Sequence, residues 1–228
     1  MTSPIPHTYI TGSKQVQLVT TKGETNNSED IFVAHTHPAQ LHRACSVWLI
    51  NNSGQVLLQQ RSSLKILGAL WWGNTVCGNV KPDETALECA YRRLKEELGI
   101  ISTATHPVKL TELYTFTYKA YCNETFGEYE YDHVFVGQYD GPTNLNPDEV
   151  AQTAWVDAAS LRSAALAHPY PTAAETVAMS PAELQTTTGV ANLQLPETIG
   201  HQLGENPASF CPWTVMMLRD DQLQLSVK

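Results

Sequence analysis

The sequence predicts one α+β domain, built as α/β/α layers around a mixed sheet. Three observations lead there. Short β-rich runs such as RACSVWLI and QVLLQQR are separated by a turn-type NNSG. Between Asp83 and Gly99, apolar residues recur at helical spacing and a glycine follows. Strand-like and helix-like segments are interleaved along the chain, a pattern that layered folds produce. The 228 residues suffice for one large domain with excursions.

The elements are expected as follows. Residues 1–30 hold a first strand, KQVQLVT, and a turn-rich link, TTKGETNNSED. Residues 31–166 form the main body of the domain. It opens on DIFVAHTHPAQLH, a short mixed segment with three histidines, and continues as a hairpin over 43–61. SSLKILGALWWGNTV is a loop. The central helix has Asp83 as its N-cap, Leu87, Tyr91, Leu94 and Leu98 as its buried stripe, and Gly99 as its end. Strands follow at 107–118 and 128–138, then a helix at VDAASLRSAAL. Residues 167–209 are rich in Pro, Thr, Ala and Gly and read as an excursion or flexible loop, with a helix at PAELQT. Residues 210–228 hold a terminal helix, CPWTVMMLRDD, that closes the site.

Hydrophobic residues make up 42% and charged residues 16%, which suits a globular soluble protein. The net charge of −9 argues against nucleic acid as a partner, since phosphate backbones need clustered Lys and Arg. An anionic small molecule could still be held by a local basic pocket. The five cysteines are odd in number and fit no disulfide framework or CxxC knuckle, so a reducing compartment is expected. MTSPIPHTYITGSKQ lacks the features of a secretory signal, and no apolar run is long enough to span a bilayer. The expectation is a cytoplasmic protein with no membrane partner.

Four groups could carry chemistry. Glu96 and Glu97 end the central helix, and adjacent carboxylates can hold a hard divalent cation that bridges diphosphate oxygens. Alone they would read as a solvated helix end. AHTHPAQLH offers His35, His37 and His42 as transition-metal ligands, although loose histidine clusters are usually surface features. In GEYEYDHVF, Glu128 and Glu130 project from one face of a strand and could complete a His/carboxylate site, while His133 falls on the other face. Cys77 is either an inert buried thiol or a reactive one beside Gly78.

The stretch from Gly78 to Ile100 resembles a Nudix box, G-x5-E-x7-R-E-U-x-E-E-x-G-U. Gly78, Glu84, Arg92, Leu94, Glu96, Glu97, Gly99 and Ile100 fall in place, and Arg93 replaces a glutamate. Taken in order, AHTHPAQLH, GNTVCGN, AYRRLKEELG, YKAYCNETFGEYE and FCPWTVM resemble type I isopentenyl-diphosphate isomerase, a Nudix-fold family. That resemblance implies isomerisation of isopentenyl diphosphate to dimethylallyl diphosphate through a tertiary carbocation. It implies Cys77 and Glu130 as the acid/base pair, Tyr118 assisting Glu130, and Trp213 facing the cation. It implies Arg61, Lys65 and Arg93 on the diphosphate, because a guanidinium fork matches phosphate oxygens. A divalent metal (Mn2+, Mg2+ or Zn2+) is implied at His35, His42, Glu128 and Glu130, and Mg2+ on the diphosphate at Glu97 and the Cys77 carbonyl.

Three positions depart from that family's pattern. Asn79 stands where a third metal histidine is expected, Ile31 where a lysine is, and Gln40 where a basic residue is. Three functions stay open on these residues: the isomerase or a relative acting on another prenyl diphosphate, a Nudix hydrolase, and a non-catalytic diphosphate binder. Arg93 counts against hydrolysis, because a carboxylate there helps hold the metals that activate water.

Overall fold

A computed structural model describes residues 14–225. The N-terminal stretch expected to lack a secretory signal lies almost wholly outside the described residues. The chain begins with β1 (Gln15–Val19), β2 (Thr25–Asp30) and α1 (Ile31–His35), followed by β3 (His42–Ile50), β4 (Gln55–Arg61), β5 (Trp72–Gly73) and β6 (Val76–Asn79). The central helix is α2 (Ala86–Leu98). Then come β7 (Leu110–Tyr121), β8 (Gly127–Gln138), β9 (Val150–Asp157) and α3 (Ala158–Ala167). The C-terminal part holds α4 (Ala173–Ala178), α5 (Pro181–Thr187), β10 (Ala191–Leu193), α6 (Glu197–Leu203), β11 (Ala208–Phe210) and α7 (Pro212–Arg219).

The layering follows from period-2 burial in the central strands. Val47 and Leu49 of β3 and Leu57 of β4 pack with Ala90, Leu94 and Leu98 of α2. The alternate residues Trp48, Ile50, Val56 and Leu58 pack with Leu161 of α3 and Val215 of α7. Helices therefore cover both faces of a mixed sheet, as expected. β3 runs parallel to β8 and antiparallel to β6, and β4 runs antiparallel to β9 and β5.

The predicted hairpin is a turn joining two strands that part company. β3 and β4 share only the pair Ile50↔Val56. Both are buried on both faces, so each recruits its own neighbours, as central strands do. The link expected over 20–30 contains β2, paired with β1. AQTAWVD was not expected as a strand and forms most of β9, the long partner of β4.

Two expectations about the central helix are corrected. Its N-cap is Thr85, not Asp83; Thr85 and Glu88 form a reciprocal capping box. Asp83 lies in the preceding turn at φ 63°, a conformation Asp tolerates better than most residues. Leu87 is 42% exposed, and the buried face is instead Ala86, Cys89, Ala90, Leu94, Glu97 and Leu98. Small residues at 86, 89 and 90 let the helix lie close against β3 and β6. Gly99 does end the helix, at φ 64°.

Residues 168–209 are built from five short elements rather than a loop. They cover the outer edge of β7, which among the described residues pairs only with β8. The buried Thr176 and Thr188 hydroxyls accept from the Lys119 and Tyr121 backbone N–H groups, each at 3.0 Å. Two side chains thus satisfy donors that an edge strand would leave to water or to another chain. β11 then pairs with β5 through Phe210↔Trp72, which delivers α7 and Trp213 to the site.

Candidate active site

Strand register assembles the first half of the site. β8 sets Glu130 opposite His42 of β3 on one side and opposite Tyr118 of β7 on the other. The three side chains form a row across three strands. The Tyr118 hydroxyl donates to Glu130 Oε2 at 2.7 Å, and His42 Nε2 lies 3.4 Å from Glu130 Oε1. Glu128, two residues earlier on the same face, meets His35 of α1 with Oε2 3.0 Å from Nε2. The two imidazoles lie 4.5 Å apart.

Both imidazoles are oriented from behind. Nδ1–H of His35 donates to the Ile31 carbonyl at 2.6 Å, and Nδ1–H of His42 donates to the Gln40 carbonyl at 2.8 Å. A carbonyl only accepts, so both Nε2 atoms face the carboxylates, the arrangement common around metal-binding histidines. Ile31 and Gln40 contribute through their backbones. One ligand atom from each of His35, His42, Glu128 and Glu130 lies within 4.8 Å of the others, and all four residues are buried. His42 Nε2 and Asn79 Oδ1 are buried without a hydrogen-bond partner. Asn79 pairs with Ala44, which puts it on the same face of the sheet as His42. Orphaned polar atoms of this kind around two imidazoles and two carboxylates fit a divalent cation.

Burial opposes the charge on His35, but Glu128 outweighs it and pushes the imidazole up to about 9. Burial would raise the Glu128 carboxyl, yet His35 and His42 hold it below the usual range. Asp132 was missed as a candidate, although E-x-E-x-D carries a period-2 signal. It is buried next in the row, accepts from the Ser46 hydroxyl at 2.7 Å, and is pushed well up by burial and by Glu130 and Glu128.

A cavity of about 260 Å³ connects this cluster to a group of cations. Its wall includes Arg61, Lys65, Cys77, Arg93, Glu130 and Trp213. Cys77 is on β6 and Arg61 ends β4; Arg61 Nη1 lies 3.7 Å from the Cys77 sulfur. Burial pushes the Cys77 thiol far up, with Arg61 opposing, so the thiol is neutral. Arg61 also lies over the Trp213 ring, 5.4 Å from its centroid, so the face expected to meet a cationic substrate carries a guanidinium here. Arg93 passes directly over Gly78: a Cβ there would come within 2.6 Å of Arg93 Cγ, which explains the box glycine. The Arg93 guanidinium is held by Glu96 at 2.8 Å, Glu97 at 2.6 Å and Glu149 at 3.0 Å. Glu97 is buried and also accepts from Gln59 at 2.7 Å, while the Glu96 side chain is 41% exposed. The two box carboxylates therefore meet on one guanidinium, Glu97 from the buried side and Glu96 from the solvent side. Arg92 clamps Glu84 and the Asn79 carbonyl, bracing the loop before the helix.

His37 takes no part in the cluster; it stacks on Tyr121 at 5.2 Å. His133 pairs with Glu112 at 2.8 Å. Glu149 was not expected, because the segment before β9 shows no periodicity that marks it.

Residues 40–176 match the NUDIX domain family. The isopentenyl-diphosphate Delta-isomerase of Nocardia farcinica is 39% identical over 155 residues, covering 68% of this chain and 85% of that protein. The chain belongs to the Nudix isopentenyl-diphosphate Delta-isomerase family. Further members are similar to it at comparable levels. The isomerase of Halorhodospira halophila is 38% identical, with 69% of this chain and 87% of that protein covered. Isomerase 1 of Aromatoleum aromaticum is 37% identical, with 65% and 80% covered. A crystal structure from Deinococcus radiodurans matches with TM-score 0.52 at 21% identity, covering 65% of this chain and 86% of that one, a likeness of fold.

Proposed function

We propose that this isomerase-family chain interconverts isopentenyl diphosphate and dimethylallyl diphosphate. The observation that carries the reading is one cavity lined by the neutral Cys77 thiol, the Tyr118-bound Glu130 carboxylate and the cations Arg61, Lys65 and Arg93. A cation group of that kind suits a diphosphate, and the reacting carbons need paired proton donors and acceptors.

The reaction adds a proton to the terminal alkene carbon and removes one from the carbon next to the diphosphate-bearing carbon. Cys77 and Glu130 form the pair, one giving and the other taking, with the roles exchanged in the reverse direction. The Tyr118 hydroxyl assists transfer at Glu130. When Cys77 gives up its proton, the Arg61 guanidinium beside its sulfur stabilises the charge. The Trp213 ring, which Arg61 overlies at 5.4 Å, would face the tertiary cation once substrate fills the cavity. The buried walls exclude water, which would otherwise capture that cation.

His35, His42, Glu128 and Glu130, with Asn79 as a further oxygen donor, would hold a divalent ion. When bound, such an ion supplies positive charge that compensates two buried carboxylates. Oxygen from Asn79 in place of nitrogen favours Mn2+ or Mg2+ over Zn2+. Mg2+ arriving on the diphosphate would meet Glu97 and the Cys77 carbonyl. A cytoplasmic setting agrees with five free cysteines, and no helix among the described residues is long and apolar enough to cross a membrane.

The carboxylates Glu96, Glu97 and Glu149 around Arg93 favour hydrolysis as a second reading. Turnover in deuterium oxide separates the two. Isomerisation moves solvent deuterium into the new methyl group; hydrolysis releases phosphate and leaves the carbon skeleton unlabelled.

A further inference from the structure

We propose that Glu149 is a positioning residue for the diphosphate grip, holding the Lys65 ammonium inside the cavity beside Arg93. The proposal rests on the reading above in which Lys65 and Arg93 take the diphosphate. Its geometric basis is a single shared oxygen: Lys65 Nζ lies 2.6 Å and Arg93 Nη2 3.0 Å from Glu149 Oε2. The two cations approach from different parts of the chain, Lys65 from the loop after β4 and Arg93 from α2. Glu149, just before β9, is the point on which they converge.

Glu149 matters more to Lys65 than to Arg93. Arg93 keeps Glu96 and Glu97 if Glu149 is lost. Among the described residues, Glu149 is the only carboxylate at salt-bridge distance from Lys65. The loop carrying Lys65 is also tied to this residue, since Ser62 N–H donates to the Glu149 carbonyl at 2.9 Å. Backbone and side chain of Glu149 thus fix one loop at two points.

The charges facing Lys65 are Arg61 from β4, Arg93 and Glu97 from α2, and Glu149. Burial and the two guanidinium groups lower the Lys65 pKa; Glu149 is the strongest influence keeping the proton on. Glu149 itself is an anion throughout the working range. Burial would raise its carboxyl, but Lys65 and Arg93 bring it to about 2. Without that anion, a flexible four-carbon side chain among like charges loses its proton or turns to water. The diphosphate then loses one of its cations.

The test is calorimetric titration with inorganic diphosphate and magnesium, from neutral to alkaline pH. The proteins are wild type, Glu149→Gln, Lys65→Met and the double variant. Glu149→Gln is expected to bind roughly tenfold more weakly, the scale of one charge-assisted contact. Its affinity should also fall away at lower pH than in wild type, because Lys65 deprotonates earlier. In the Lys65→Met background, Glu149→Gln should add little. Wild-type affinity and pH profile in Glu149→Gln would overturn the proposal. So would an undiminished loss in the Lys65→Met background, which would mark Glu149 as merely structural. Failure of the wild type to bind diphosphate would overturn the diphosphate reading itself, and this proposal with it.

Discussion

Tyr118 donates its hydroxyl hydrogen to Glu130 Oε2 at 2.7 Å, and the other oxygen of that carboxylate faces His42 Nε2 at 3.4 Å. One carboxylate thus joins the proton-transfer side of the site to the imidazole cluster. Tyr118→Phe removes the hydroxyl and little else. Isomerisation should fall about 10²-fold, the lower end of what positioned acid–base groups contribute. Steady-state rates with isopentenyl diphosphate check this; an unchanged kcat would remove Tyr118 from the mechanism.

Cys77→Ala should abolish isomerisation while diphosphate binding survives, because the thiol exchanges protons and does not grip phosphate. Glu130→Gln should be equally damaging and should also lower the metal content. Rates, diphosphate titration and metal analysis on both variants test the pair. Near-wild-type turnover in Cys77→Ala would rule out its role.

Arg93→Glu reverses the charge at the grip and adds a fourth carboxylate to Glu96, Glu97 and Glu149. Substrate affinity should drop, and metal-dependent phosphate release should become measurable. Gly78→Ala should weaken binding by displacing the Arg93 stem, since its Cβ would lie within 2.6 Å of Cγ. Salt should weaken wild-type binding less than it weakens exposed ion pairs, because Arg93 is largely buried. Unchanged affinity in Arg93→Glu contradicts the assignment.

Asn79→His replaces an orphaned amide oxygen with an imidazole nitrogen on the sheet face that carries His42. Transition-metal binding should tighten, and activity at low metal concentration should rise. Metal analysis after identical purification decides it. Stoichiometric zinc held tightly by wild type, unaffected by the substitution, would show that Asn79 does not limit this site.

Thr176→Val removes the acceptor that the Lys119 N–H uses at 3.0 Å on the edge of β7. A buried donor left unpaired costs about 1–3 kcal/mol. Urea unfolding should register a loss of that order, with kcat little changed because Thr176 is not part of the cavity wall. No loss of stability would mean that water or backbone movement replaces the hydroxyl.

What was legible in the sequence follows local rules. Glu128 and Glu130 alternate on a strand, Gly78 to Ile100 keep a fixed spacing, and Thr85-x-x-Glu88 announces a cap that Asp83 obscured. What was not legible depends on register between distant strands. The family resemblance put Glu130 with His42 and Tyr118, and the structure agrees; spacing alone could not, because it depends on β8 running parallel to β3 and antiparallel to β7. Glu149 reaches the site only because β9 pairs with β4 and brings the preceding loop beside Lys65. Residues 168–209 looked loop-like because their short elements take stability from covering β7, not from amphipathic length.

The most direct test of the central claim is one incubation of the wild-type protein with isopentenyl diphosphate and magnesium, assayed together for dimethylallyl diphosphate and for released phosphate. The account predicts dimethylallyl diphosphate without phosphate. Phosphate release without dimethylallyl diphosphate would contradict it and mark the chain as a hydrolase on an isomerase frame.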